Sequence, residues 1–292
     1  MTQMIWNHFI AGIFSPPAGG EYLQETDPRT GASSFSIARG NEQDVDRAVR
    51  SSEAAVEGWR SMRALERGRV LTRIALAIRS NNEELARLEQ VETGKTLAQV
   101  RMDVEVAAQY FEFYGGLAPA IEGETIDIGA GKLCYTLKEP YGVVGVITPW
   151  NAPINQAARA AAPALAAGNA VVLKPSEFTS VSTLRLAQIA HECGLPAGAL
   201  NVVAGTGLEV GAAIVDHPKV SKIAFTGSLR AGRDIGAKAA QRVIPVTLEL
   251  GGKSPDIIFA DANLEAAARG AARGFTINAG QACIGVSSFS VQ

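Results

Sequence analysis

The sequence predicts an α/β fold built on a doubly wound, five-stranded parallel sheet of the Rossmann-like kind. From residue 143 onward, apolar runs rich in β-branched residues alternate with segments of helical periodicity that are long enough for crossovers. Strands joined in this way run parallel, with helices on both faces of the sheet. The predicted strands are 143–148, 170–174, 200–203, 222–225 and 243–249, and the predicted helices are about 153–167, 180–192, 208–216 and 229–241.

The chain before the predicted sheet changes its pattern twice. Residues 6–12 and 27–31 have the composition of short strand and turn pieces. From 42 to 115, apolar residues recur at helical spacing with charges between them, which predicts a layer of consecutive helices. From 121 to 139, alternation around a Gly-Ala-Gly turn predicts a β-hairpin. Because an isolated hairpin is marginally stable, we expect it to pack outside the main domain, against another subunit.

Charge and composition exclude several classes of partner. The 292 residues are 47% hydrophobic and 19% charged, with a formal net charge of −2, which is the balance of a soluble globular protein. Such a chain has no basic field that would attract nucleic acid or an anionic membrane. Residues 1–10 lack the pattern of a signal peptide, and no apolar run reaches membrane-spanning length, so we expect a cytoplasmic protein. Its 3 cysteines and 3 histidines are widely spaced, which predicts neither disulfides nor a metal site.

The carboxyl ends of the predicted strands are the first place to look for a site, because ligands of doubly wound sheets bind there. Glu249 is the most informative residue of this edge, since a carboxylate in an apolar strand loses its hydration unless it lies at the exit into a cleft. Gly251 and Gly252 favour the cleft, because glycine permits a sharp turn and the close approach of another group. The residues that end or follow the five runs are 149–151, 174–177, 204–207, 226–228 and 249–252.

Taken in order, the motifs of this chain resemble those of the NAD(P)-dependent aldehyde dehydrogenase superfamily over essentially the whole sequence. The motifs are the helical start, the hairpin, Pro149-Trp150-Asn151-Ala152-Pro153, Lys174-Pro175-Ser176-Glu177, Phe225-Thr226-Gly227-Ser228, Leu248-Glu249-Leu250-Gly251-Gly252-Lys253 and Gly280-Gln281-Ala282-Cys283. The resemblance implies oxidation of a small-molecule aldehyde to a carboxylic acid with NAD as cofactor. It also implies a homo-oligomer for the full-length protein.

The resemblance divides the chain into parts. Residues 1–120 and 140–251 form the predicted NAD-binding domain, 121–139 form a bridging hairpin, and 252–292 begin a catalytic domain. The family's fold continues further than this, so the resemblance implies a truncated chain, and we expect the isolated chain to turn over poorly or not at all. Residues 288–292 alternate as a strand does, and we expect them to have no partner in this sequence.

Three residues carry the implied chemistry. Cys283 is the implied nucleophile, because a thiolate adds readily to a carbonyl and later leaves from a thioester; the alternative, a small buried hydrophobe, is kept for Cys134 and Cys193. Glu249 is the implied base that activates water for thioester hydrolysis, with a structural ion pair as its alternative. Asn151 is the implied donor to the oxyanion, with an N-cap of the following helix as its alternative.

The cofactor is placed by the same resemblance. The pyrophosphate is expected near Gly227, Ser228 and Gly232, where a strand runs into a helix N-terminus. Lys174 and Glu177 are expected at the adenosine ribose, and a glutamate there would repel a 2′-phosphate, which favours NAD over NADP. Seen alone, that segment also fits a plain turn before a capped helix. The full expected set is Thr148, Pro149, Trp150, Lys174, Ser176, Glu177, Gly207, Gly211, Phe225, Thr226, Gly227, Ser228, Gly232 and Leu250.

Two other functions remain open at this point. An acylating branch of the superfamily passes the acyl group to coenzyme A or phosphate, and the presence of Glu249 counts against it because that branch has little use for a water-activating carboxylate. The second alternative is a catalytically silent nucleotide-binding fragment. The glycine-rich run at 205–211 adds little to either, because its spacing differs from the dinucleotide fingerprint.

Overall fold

The computed structural model of the chain describes residues 4–292. Its strands are β1 (Met4–Trp6), β2 (His8–Ile10), β3 (Ile13–Ser15), β4 (Tyr22–Thr26), β5 (Ser33–Ala38), β6 (Thr125–Ile126), β7 (Cys134–Tyr135), β8 (Val143–Ile147), β9 (Ala170–Lys174), β10 (Leu200–Val202), β11 (Val220–Gly227), β12 (Val246–Leu250), β13 (Ser254–Ile258) and β14 (Val286–Val291). Its α-helices are α1 (Glu42–Ser61), α2 (Ala64–Ser80), α3 (Asn82–Thr93), α4 (Leu97–Leu117), α5 (Pro153–Ala166), α6 (Val181–Glu192), α7 (Ala212–Asp216), α8 (Leu229–Gln241) and α9 (Leu264–Thr276).

The predicted parallel sheet is confirmed. Strands β8 to β12 run parallel in the spatial order β12-β11-β8-β9-β10, which is doubly wound about β8. The short N-terminal pieces enlarge this sheet to seven strands, because β2 pairs antiparallel with β10 and β3 pairs with β2. The strand β12 therefore lies at the open edge, next to β11 only.

Side chains alternate across the sheet and pack under helices on both faces. Val144, Val146 and Leu173 belong to a buried cluster with residues of α2, α4 and α5. On the opposite face, Val143 and Val172 pack in a second cluster with residues of α1 and α7. The four consecutive helices α1 to α4 confirm the helical layer predicted from the sequence.

The start of the last parallel strand differs from the prediction. The strand β12 begins at Val246, whereas the apolar run begins at Val243. Val243 has a φ of 56° and is 89% exposed, and it ends α8 instead of entering the sheet. Its N–H bonds Ala240 O at 3.1 Å, and the N–H of Ile244 bonds Ala239 O at 3.1 Å. These two hydrogen bonds end the helix with a residue in the left-handed conformation. Apolar periodicity alone does not reveal such a helix end.

The predicted hairpin is present but short. The strands β6 and β7 pair antiparallel through two residue pairs, Thr125 with Tyr135 and Ile126 with Cys134. Apolar side chains lie exposed along it, with Leu133 at 76% and Leu137 at 72%.

The final segment corrects one expectation. Residues 288–292 were expected to lack a partner, but β14 pairs in parallel with β13, so that Asp256 lies opposite Phe289. The helix α9 connects the two strands, and none of its residues is buried. The sequence did not indicate this pairing, because β13 follows β12 after only a few residues and contains Pro255, which is unusual in a strand.

Candidate active site

The strand register brings the predicted site residues to one edge of the sheet. Ile147 at the end of β8 lies opposite Lys174 of β9 on one side and opposite Phe225 of β11 on the other. One position further along, Thr226 pairs with Glu249 of β12. The carboxyl ends of four strands thus lie side by side, as expected for a ligand-binding edge.

Glu249 lies on the open face of the edge strand. Burial alternates along β12, so that Thr247 and Glu249 are exposed while Leu248 is partly covered. The Glu249 side chain is 51% exposed, and its Oε2 forms an ion pair with Arg159 of α5 at 3.1 Å. Glu249 therefore keeps its contact with solvent at the end of β12, because an edge strand turns every second side chain toward solvent. The ion pair that the sequence left as an alternative is present.

A cavity of about 290 Å³ lies beside this carboxylate. Glu249 and Thr226 line it from the sheet, together with Thr148 at the end of β8. Gln156 and Arg159 line it from α5. Most of the remaining wall is apolar, contributed by residues such as Val144, Ala160, Pro163 and Ala224.

Asn151 connects the end of β8 to the segment that carries Cys283. Its Nδ2 donates to Gln281 O at 2.6 Å, across 130 positions of the chain. The N-cap of α5 is Ala152, and no side chain caps that helix, so the alternative role of Asn151 as an N-cap is wrong. Cys283 itself is exposed, two residues beyond this contact. Among the hydrogen bonds and ion pairs of residues 4–292, none joins Cys283 to Glu249 directly.

Asn278 is a site residue that the sequence analysis missed. Its Nδ2 donates to Asn151 O at 2.9 Å and to Gln281 O at 3.0 Å. It is only 8% exposed, and its φ of 56° is left-handed. Asparagine tolerates this conformation better than most residues, so an asparagine two residues before the glycine of Gly280-Gln281-Ala282-Cys283 was the available signal.

Lys174 and Glu177 form a buried ion pair after β9. Lys174 is 3% exposed, and its Nζ lies 2.8 Å from Glu177 Oε2. Burial lowers the pKa of Lys174, because a charged ammonium loses hydration there. Burial alone would raise the pKa of Glu177, but the Lys174 charge and hydrogen bond hold it below its usual value. Ser176, which lies between these two residues in the sequence, is also buried. A turn is also present, since the N–H of Thr179 bonds Ser176 O at 3.1 Å, but the side chain of the N-cap residue Ser180 does not cap α6.

The junction of β11 and α8 has the geometry of an anion-binding helix start. Ser228 is the N-cap of α8, and its Oγ accepts from the N–H of Ala231 at 3.2 Å. A Cβ at Gly232 would lie 2.5 Å from Leu250 Cδ2, so a larger residue there would require the Leu250 side chain to move. A Cβ at Gly227 would likewise lie 2.6 Å from the Phe225 ring. Four residues of the expected cofactor set thus pack in two close pairs, Gly232 with Leu250 and Gly227 with Phe225.

The glycine-rich run after β10 is less constrained. A Cβ at Gly207 would meet nothing within 4 Å, and one at Gly211 would make an ordinary 3.9 Å contact with Ile147. Close packing instead requires Gly205, where a Cβ would lie 2.6 Å from Val210. At the end of β8, Pro149 is partly buried and Trp150 is 45% exposed.

The other two thiols lie away from the contacts described above. Burial raises the pKa of the Cys193 thiol, which disfavours the thiolate, and its Sγ lies 3.7 Å from Arg73 O. Cys134 lies in the hairpin strand β7. Within residues 4–292, no group of three or more His, Cys, Asp or Glu side chains is placed to hold a metal ion. In the same part of the chain, no helix is long and apolar enough to span a bilayer.

Comparison with known proteins gives the same result by sequence and by structure. A family model described as the aldehyde dehydrogenase family matches residues 14–292. Hydroxyisobutyraldehyde dehydrogenase of Mycolicibacterium austroafricanum is 42% identical over 276 residues, which cover 94% of this chain and 55% of the relative. The chain therefore spans a little over half the length of that curated relative.

Solved structures match over nearly the whole chain. PnpE from Pseudomonas sp. WBC-3 has a TM-score of 0.97 at 42% identity, over 99% of this chain and 60% of PnpE, and PnpE has also been solved in complex with nicotinamide adenine dinucleotide. An NADP-dependent enzyme of E. coli has a TM-score of 0.97 at 36% identity, over 99% of this chain and 60% of that one. The neighbours of this fold thus include proteins described with either form of the cofactor.

Proposed function

The chain belongs to the aldehyde dehydrogenase family, and from that premise we propose that it serves in the NAD-dependent oxidation of an aldehyde to a carboxylic acid. The observation that best supports this proposal is the bond from Asn151 Nδ2 to Gln281 O. It holds the end of a nucleotide-binding type of sheet against the segment of the proposed nucleophile.

In the proposed reaction, the Cys283 thiolate adds to the aldehyde carbon and the carbonyl electron pair moves onto oxygen. The amide of Asn151 carries two N–H groups, and only one is used by Gln281 O. The second is available to the oxyanion, together with the backbone N–H of Cys283. Loss of one such donor typically raises the barrier by about 3 kcal/mol.

The residues at the strand ends fit a dinucleotide. Thr148 Oγ1 is buried and has no hydrogen-bond partner among the described residues, so it can bond a ligand at the end of β8. Glu177 can accept bonds from ribose hydroxyls, and the start of α8 can donate backbone N–H groups to a pyrophosphate. When bound, the nicotinamide accepts the hydride that leaves the substrate carbon. The ionised Glu177 favours NAD over NADP, because it would repel a 2′-phosphate.

Loss of hydride converts the Cys283 adduct into a thioester, which water must then cleave. We assign Glu249 as the base: it takes a proton from water while the water oxygen attacks the acyl carbon and the carbon–sulfur bond breaks. The products are the carboxylic acid and the Cys283 thiolate. The acylating alternative, transfer to coenzyme A, leaves Glu249 without a role.

The proposal is tested by two substitutions, made in a chain extended to the length of its relatives because the 292 residues alone are expected to turn over poorly. We expect Cys283→Ala to abolish the formation of NADH in the first turnover and in all later turnovers. We expect Glu249→Gln to leave the first burst of NADH and to slow later turnovers at least tenfold, because general base catalysis is worth about 10²-fold or more. Stopped-flow absorbance at the NADH band measures both. Cys193→Ala serves as the control thiol and should resemble the wild type.

Two outcomes would count against this function. NADH formation by Cys283→Ala would remove the nucleophile from its role. A product that becomes an acyl-CoA when coenzyme A is added would favour the acylating reaction instead. A protein that binds NAD, measured by quenching of tryptophan fluorescence, but forms no NADH with any aldehyde would support the silent nucleotide-binding alternative.

A further inference from the structure

Arg159 contacts the proposed base from a separate element of the fold. It lies on α5, and its guanidinium reaches β12 to pair with Glu249 Oε2 at 3.1 Å. The same guanidinium donates through Nη1 to Gln156 Oε1 at 3.2 Å, one turn earlier on α5. Arg159 is therefore held by Gln156 on its own helix and by the Glu249 carboxylate on β12.

The contact of the pair is made to one oxygen of the carboxylate. Glu249 Oε2 lies 3.1 Å from Arg159, and no hydrogen bond to Oε1 is found among the described residues. A carboxylate fixed through one oxygen keeps the other free to accept a proton, and its orientation about the last side-chain torsion is limited. The geometry suits a base that must meet water from a defined direction.

The pair has little importance for folding. The side chains of Arg159 and Glu249 are 35% and 51% exposed, and ion pairs at such positions contribute little to the free energy of unfolding. The other cation lining the same cavity, Lys222, donates instead to Thr247 Oγ1 at 2.9 Å. Of these two cations, Arg159 is thus the one that contacts Glu249.

We propose that Arg159 is a positioning residue that orients the Glu249 carboxylate so that Oε1 receives the proton of the hydrolytic water. This inference rests on the proposed function, because it assigns Arg159 to the hydrolysis of the Cys283 thioester. It gives no role to Arg159 in the earlier addition or hydride-transfer steps.

The test separates acylation of Cys283 from its deacylation. In the chain extended to the length of its relatives, with p-nitrophenyl acetate as probe, the first release of p-nitrophenol reports acylation, and later turnovers report hydrolysis of the acetyl thioester. We expect Arg159→Gln to keep the first turnover and to slow the later ones about tenfold, as misplacement of a catalytic group commonly does. Arg159→Lys keeps a cation and should recover at least half of the lost rate. Arg69→Gln, which breaks the exposed pair with Glu66 on α2, is the matched control.

The results distinguish this inference from the proposed function. A first turnover slowed as much as the later ones, unchanged later turnovers in Arg159→Gln, or an Arg159→Lys rate no better than that of Arg159→Gln would each overturn the role of Arg159. A first turnover that persists in Cys283→Ala would instead overturn the proposed function.

Discussion

At the residue scale, two side-chain amides decide where the Cys283 thiol lies. Asn278 donates to both Asn151 O and Gln281 O, and Asn151 donates to the same Gln281 carbonyl. Three hydrogen bonds thus converge on two carbonyl groups, that of Asn151 after β8 and that of Gln281 in the loop that carries Cys283. Each is worth about 1 kcal/mol to stability, but together they define the position of the loop that carries the proposed nucleophile.

We predict that Asn278→Gly disturbs the site without unfolding it. Glycine keeps the left-handed φ of 56° but removes the side-chain amide of Asn278. The first turnover of NADH should fall about tenfold, because a small misplacement at an active site has effects of this size. Binding of NAD, measured by fluorescence, should stay within about twofold.

The neighbouring residue supplies the control. Ala279 also has a left-handed φ, of 54°, and carries no amide. Ala279→Gly should therefore leave the first turnover unchanged. Equal losses in the two variants would show that backbone freedom, and not the Asn278 amide, controls the position of the thiol.

At the scale of elements, the start of α6 is closed by two buried carboxyl groups from distant segments. Glu25 Oε1 accepts from Ser180 N at 2.7 Å, and Glu92 accepts from the N–H groups of Val181 and Ser182. Burial raises the pKa of Glu25 to about 8, and burial also raises the pKa of Glu92 well above its usual value. The two groups replace the side-chain cap that Ser180 does not provide.

This arrangement predicts a fall in stability with rising pH. The folded-state pKa of Glu25, about 8, is above its unfolded value of 4.5, so the folded chain holds a proton that the unfolded chain releases. The contribution is complete below about pH 4.5 and is lost as the pH rises through about 8. Urea unfolding from pH 5 to 9 should show this loss, and Glu25→Gln should reduce the slope. A slope that is unchanged in Glu25→Gln would contradict the assignment to this group.

Some elements were predicted from the sequence more accurately than others, and the reason is physical. The strands β8 to β11 were predicted within a few residues, because both of their faces are covered and their apolar runs are continuous. The start of the edge strand β12 was misjudged, since Val243 closes α8 in a left-handed conformation that an apolar run does not reveal. The pairs formed by Arg159 with Glu249 and by Asn278 with Asn151 could not be predicted, because nothing in local sequence marks a contact between distant elements.

At the scale of the whole molecule, the exposed hairpin is the clearest surface for association. Ile128, Leu133 and Leu137 are at least half exposed on it, and only two residue pairs hold β6 to β7. A two-stranded unit of this size is marginal by itself, so a covering partner would stabilise it. We propose that a second copy of this chain provides that cover.

We predict that the double substitution Leu133→Glu and Leu137→Glu weakens self-association by at least tenfold. Each change places a charge where an interface would exclude water, which costs well over 1 kcal/mol. Sedimentation velocity over a range of concentrations measures the effect. Leu208→Glu, at a side chain 91% exposed after β10, is the control and should leave association unchanged. A wild-type chain that stays monomeric at all concentrations would contradict the proposal.

The bond between Asn278 and Asn151 also has a consequence for biosynthesis. Every strand of the seven-stranded sheet lies earlier in the chain than Asn278, so a ribosome delivers that sheet before the thiol loop emerges. The proposed nucleophile then folds onto a surface that is already in place, so during translation the sulfur gains its hydrogen-bonded surroundings only after the proposed nucleotide-binding sheet exists.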